Sequence, residues 1–126
     1  MTIAQQLNVK EFPFEIKNSN GKLIYWEESD RNWIKREYDS DGNEIYWENS
    51  DGFWIKYEYN SNRNRIYSEN FNGFWIKREY DSNGNVIYWE DSYGKIHDHR
   101  PKTDVQKAIE LLTKEGLIVD GKILKN

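Results

Sequence analysis

Through the middle of the chain, apolar side chains fall in short runs instead of helical stripes. WIKREY at 33–38, EIYWEN at 44–49, WIKYEY at 54–59 and WIKREY at 75–80 interleave Trp, Ile and Tyr with Lys, Arg and Glu. β-Branched and aromatic residues at this density favour extended backbone, and no 3.6-residue apolar period runs through the region. Between the runs stand DSDGN, NSNRN and DSNGN in one class of connection, SDGF and FNGF in the other. Their Asp, Asn and Gly supply the left-handed positions of tight turns. The pattern predicts strands at 12–17, 23–28, 33–38, 44–49, 54–59, 65–69, 75–80 and 86–90, with a short ninth at 95–98. Consecutive hairpins then form a meander.

The runs repeat. Ile24, Ile45, Ile66 and Ile87 lie 21 residues apart, as do Glu27, Glu48, Glu69 and Glu90, and Trp33, Trp54 and Trp75. A fixed period of this length marks tandem copies of one supersecondary unit. The fold class that follows is mainly β: 21-residue hairpin repeats zipped into one twisted antiparallel sheet.

The repeats also suggest a register. Arg36 becomes Tyr57 and returns as Arg78, while Trp47 becomes Ser68 and returns as Trp89. Two positions that change together are read as cross-strand neighbours, with the Arg36 guanidinium stacked on Trp47. This register sets Lys35 opposite Glu48 and Tyr38 opposite Ile45. One face then carries Ile34, Arg36, Tyr38, Ile45, Trp47, Ile55, Tyr57 and Tyr59. The other carries Trp33, Lys35, Glu37, Tyr46, Glu48, Trp54, Lys56 and Glu58, with Lys–Glu pairs across strands.

The ends read differently. Residues 1–11 hold one helical turn, with Thr2 as N-cap and Gln5 completing a capping box. Residues 12–98 are the repeat sheet and 99–126 a C-terminal cap. In the cap, Pro101 precedes a helix, Thr103 or Asp104 caps it and Gly116 ends it. Val105, Ala108, Ile109 and Leu112 make an apolar stripe expected to cover part of the sheet or its edge. A small hairpin turned by Asp120–Gly121 follows.

Composition narrows the function. About a third of the residues are charged, yet 6 Trp, 9 Tyr and 5 Phe are present, a content that disordered chains lack. A net charge of −4 with interleaved acids and bases argues against a nucleic-acid-binding surface. It makes acidic mimicry of nucleic acid a weaker alternative. The absence of cysteine excludes thiolate chemistry and disulfides. MTIAQQLNVKEF shows no basic start with a long apolar run, and no stretch has the length to span a bilayer. The expectation is a cytoplasmic protein without membrane contact.

REYDSDGNEI, YEYNSNRN, and Gly52 ten residues after Gly42 resemble the YD repeat of the Rhs family over roughly residues 33–94. That repeat runs Tyr-x-Tyr-Asp, two residues, Gly-Asn or Gly-Arg, an aliphatic residue and a later Gly. In Rhs proteins dozens of such hairpins form a shell, which about four cannot do. The whole layout is similar to small YD-type repeat proteins of phages and bacteria. That similarity implies an accessory role in a bacterial host, such as inhibiting a defence factor. A fainter similarity to aromatic cell-wall or glucan-binding repeats gives carbohydrate binding as the alternative.

No Ser-His-Asp spacing, phosphate-binding glycine loop or HExxH is present, so neither an enzyme nor a cofactor is expected. On a strand, His97 and His99 of IHDHR would face the same side and are the candidates to share a metal with one carboxylate, beside the plainer reading of solvated loop residues. The repeat breaks its own rule in the middle unit, where Gly42 becomes Arg63, Glu44 becomes Arg65, Asp51 becomes Asn72 and Ser50 becomes Phe71. Tyr57, Arg63, Arg65 and Phe71 are therefore read as one basic and aromatic patch for a protein partner. Trp33, Trp54 and Trp75 are the other binding candidates. Exposed edge strands also make self-association an expectation.

Overall fold

The computed structural model describes residues 1–116, 118–119 and 122–123. Nine strands follow in chain order and each pairs antiparallel with the next. They are β1 Phe14–Lys17, β2 Leu23–Glu27, β3 Trp33–Tyr38, β4 Glu44–Asn49, β5 Trp54–Tyr59, β6 Arg65–Asn70, β7 Trp75–Tyr80, β8 Val86–Asp91 and β9 Ile96–Asp98. The tandem hairpins form one open sheet, as the period predicts.

The turns explain the regularity. Asp39 Oδ1 accepts from the Asp41 and Asn43 amides at 3.0 and 2.9 Å, and Asn49 Oδ1 accepts from Asp51 and Phe53 at 3.0 and 3.2 Å on the opposite edge. An Asx side chain thus closes its own turn before the strands pair. Successive hairpins are stitched by tyrosine. The Tyr38, Tyr59 and Tyr80 hydroxyls donate to the carbonyls of Leu23, Glu44 and Arg65, at 3.2, 2.7 and 2.6 Å.

The register is as expected at Arg36–Trp47 and Lys35–Glu48, and Tyr57 stands opposite Ser68. Two details differ. A bulge after Glu37 places Tyr38 opposite Glu44, not Ile45, because the five-residue turn inserts one residue more than the ladder can pair. Ile45 leaves the Arg36 row and lines a hollow with Tyr46 and Lys56. The Arg36 guanidinium is engaged by Glu44, with Nε 3.6 Å from Oε1, a carboxylate that the bulge brings to its side of the sheet. The stacking predicted on Trp47 gives way to this pair.

Almost nothing covers the sheet. Among the described residues only Ala4, Tyr25, Glu27 and Asp91 are buried. The accessible surface is 9480 Å², where a compact monomer of this length would expose about 7,100 Å². Three of these four, Ala4, Tyr25 and Glu27, cluster at the first unit. Helix α1, Ile3–Gln6, starts with the predicted Thr2–Gln5 capping box and rests on β2. Helix α2, Asp104–Lys114, is capped by Thr103 with Gln106. Every residue of α2 is exposed, so its stripe of Val105, Ala108, Ile109 and Leu112 does not cover the sheet. Two short strands follow, β10 Ile118–Val119 and β11 Lys122–Ile123, paired antiparallel. The Asp120–Gly121 turn lies outside the described residues.

Candidate interaction surface

One sheet face is a ladder of repeated side chains. Cross-strand pairing runs Tyr25–Lys35–Glu48–Trp54, then Tyr46–Lys56–Glu69–Trp75. The Tyr46 hydroxyl donates to Glu48 at 2.9 Å, and burial together with that carboxylate raises its pKa. Each lysine turns along its own strand. The Nζ of Lys35, Lys56 and Lys77 lies 4.7, 5.0 and 4.9 Å from the ring centres of Trp33, Trp54 and Trp75. The lysines expected to pair with Glu therefore sit over indole rings, which an exposed ammonium favours by about 0.5–1 kcal/mol.

On the opposite face the middle unit swaps its chemistry. Where Arg36 meets Glu44, the next unit has Tyr57 and Arg65, and the Arg65 guanidinium lies 3.9 Å from the centre of the Tyr57 ring and 5.8 Å from that of Tyr59. An ion pair has become a cation–π pair. The co-variation of Tyr57 with Ser68 marked true neighbours, but the partner that organises Tyr57 is Arg65.

The structure divides the predicted patch. Tyr57, Arg63 and Arg65 gather at the edge formed by the turns at 39–43, 60–64 and 81–85. Phe71 lies at the other end of β6, about 20 Å away for a strand of this length. It touches Phe53, edge to face, with ring centres 4.5 Å apart, and its amide donates to the Trp54 carbonyl at 3.0 Å. Next along the same edge, Phe74 and Tyr93 lie 5.2 Å apart. Phe53, Phe71 and Tyr93 are 43 %, 40 % and 80 % exposed. Phe53, Phe74 and Tyr93 were missed in the sequence reading, although aromatic residues at the tips of SDGF, FNGF and SYGK turns were the signal.

The His97 and His99 rings meet at 4.1 Å between centres, and His97 stacks on Trp89 at 5.9 Å. Asp98 stands opposite Tyr88 and accepts from Arg100 Nε and Nη2 at 3.0 and 2.8 Å, bonds that hold it down at about 2. Among the described residues no three metal-binding side chains converge. No helix among them is long and apolar enough to cross a membrane.

Neither a protein-family model nor a curated protein matches the chain.

Proposed function

We propose that the protein is a non-catalytic binding module that holds a protein partner along its aromatic turn edge. The observation that carries this reading is the row of Phe53, Phe71, Phe74 and Tyr93 at one rim of the sheet, in contact in pairs, with Phe53, Phe71 and Tyr93 exposed and Phe74 half-buried beside Tyr93. Aromatic rings left in water cost hydration free energy, and exposed clusters of them mark interaction sites. Tandem duplication makes the rim long, and the Asx turns hold the rings without a core beneath them. A bacterial protein is the partner class that the resemblance to phage repeat proteins implies. Sugar stacking on Trp33, Trp54 and Trp75 is the less favoured reading, because a lysine ammonium already lies over each ring.

Affinity capture from bacterial lysate with the wild-type chain and with the triple variant F53S/F71S/Y93S tests the proposal. A protein held by the first and lost by the second, then titrated as a purified partner, is the expected result. Equal capture by both chains would remove the aromatic rim from the account.

A further inference from the structure

The middle turn on the other rim departs from its neighbours in a way the fold does not demand. Residues 60–65 hold two arginines and no acid, whereas 39–44 hold three acids and no base, and 81–86 one acid. The turn itself is unchanged. Asn60 Oδ1 accepts from the Asn62 and Asn64 amides at 2.9 and 3.0 Å, the bonds that Asp39 and Asp81 make in the sister turns. An amide has replaced a carboxylate, keeping the acceptor and deleting the charge.

Arg63 adds strain to this charge change. Its φ is 64°, at the position where Gly42 and Gly84 have 84° and 83°, and left-handed backbone is costly for a residue with a Cβ. Arg31 is the other arginine in such a conformation, with φ 74°, and it works internally: it bonds buried Glu27 at 3.4 Å and lies over Phe12 at 5.2 Å. The Arg63 amide donates to the Asn60 carbonyl at 3.0 Å as part of the turn, but its side chain makes no hydrogen bond or ion pair among the described residues. Its charge acts on the sister turn only at longer range, helping to lower the pKa of Asp39. Arg65, two positions on, is exposed and oriented by the Tyr57 and Tyr59 rings.

We infer that Arg63 and Arg65 form a carboxylate-binding site that takes a short acidic segment of the partner protein, an inference that rests on the binding-module reading above. Stacking fixes one guanidinium plane in advance, which lowers the ordering cost of a forked bond to a carboxylate. Neighbouring turns on this rim are two strands apart, about 10 Å. Asp39 and Asp41 on one side and Asp81 on the other would repel a long polyanion at that range. The charge pattern therefore admits a brief acidic stretch and disfavours a nucleic-acid backbone.

Titration of the full chain with a fluorescent short poly-glutamate peptide, beside duplex DNA, tests the site. The peptide should bind saturably, weaken with added salt, and bind more tightly than DNA. Arg63→Gly should weaken peptide binding about three- to fivefold, the effect of one exposed ion pair, while raising the melting temperature, since glycine is the resident of the sister turns. R63G/R65Q should weaken it further. No saturable peptide binding, binding unchanged in R63G/R65Q, or equal binding of DNA would overturn the inference. The two proposals separate cleanly. A partner lost through F53S/F71S/Y93S from a chain that ignores the peptide sinks only this site, and peptide binding with no rim-dependent partner sinks only the aromatic rim.

Discussion

The first and middle units contain the same hairpin in two different situations. In the first unit, Glu27 is fully buried. It accepts from the Thr2 hydroxyl at 2.7 Å, the Ala4 amide at 3.2 Å, the Tyr25 hydroxyl at 2.7 Å and Arg31 at 3.4 Å. Phe14 stands opposite it where Lys35 stands opposite Glu48. In the middle of the sheet the matching Glu48 and Glu69 stay half-exposed, each facing a lysine across the strand. One glutamate is thus the keystone of a small covered end, and its copies belong to a solvated ladder. The arginines follow the same division, since Arg31 is used inside the fold and Arg63 faces outward. A repeated residue takes its energetic role from what covers it.

Substitution at the glutamates should show the largest contrast. Glu27→Ala strands several donors under α1 and should cost about 3 kcal/mol. Glu48→Ala removes a half-exposed group and should cost under about 1 kcal/mol. Urea denaturation followed by tryptophan fluorescence measures both, and similar losses would erase the distinction between the units.

Acid sharpens the same contrast. Burial pushes the Glu27 carboxyl up, but hydrogen bonds from Tyr25, Thr2, Ala4 and Arg31 outweigh it and leave the group below its ordinary value. A carboxyl depressed on folding adds stability that is complete above its unfolded pKa and is lost as pH falls through the folded one. Below the ordinary glutamate range, α1 should therefore detach as acid rises, and Glu27→Gln should lack that part of the pH dependence. Hydrogen exchange at the Ala4 amide reads the step directly.

The arginines should respond with opposite signs. Arg31→Gly gives up a charge-assisted bond to a buried carboxylate, worth about 1.5–3 kcal/mol, against relief of about 1 kcal/mol of left-handed strain, so it should destabilise by about 1 kcal/mol. Arg63→Gly gives up only a long-range attraction to Asp39 against the same relief, and should stabilise by just under about 1 kcal/mol. Thermal melts of the two variants decide this, and a shared sign would break the comparison. The smallest effect belongs to the aromatic rim. A double-mutant cycle on Phe53 and Phe71 should return a coupling of about 0.5 kcal/mol in the free protein. A coupling near that of core residues would mean that the pair holds the fold together instead of waiting for a partner.

Strands, their antiparallel order and most of the register were legible in the chain, because a 21-residue period repeats every local preference several times over. Turn residues named their own turns, since Asx bonding and left-handed glycine are local. The capping box at Thr2 was local too, and the second helix's cap was narrowed to Thr103 or Asp104, of which the structure uses Thr103. The candidate surface was only half legible. Arg63 and Arg65 stood out as breaks in the repeat, and Tyr57 travelled with them. Phe71 stood out as a break in the repeat too, where Ser50 stands one unit earlier, but a strand carries its two ends to opposite rims.

Sequence by itself determined how each hairpin folds and that every hairpin pairs with the next, because backbone propensity and turn chemistry act over a few residues. Tertiary structure alone decided that Glu27 is covered while Glu48 and Glu69 are not, that a bulge trades Ile45 for Glu44 beside Arg36, and that α2 leaves the sheet bare. Those outcomes depend on which surfaces meet across the molecule, and side chains repeated identically along a chain carry no record of that.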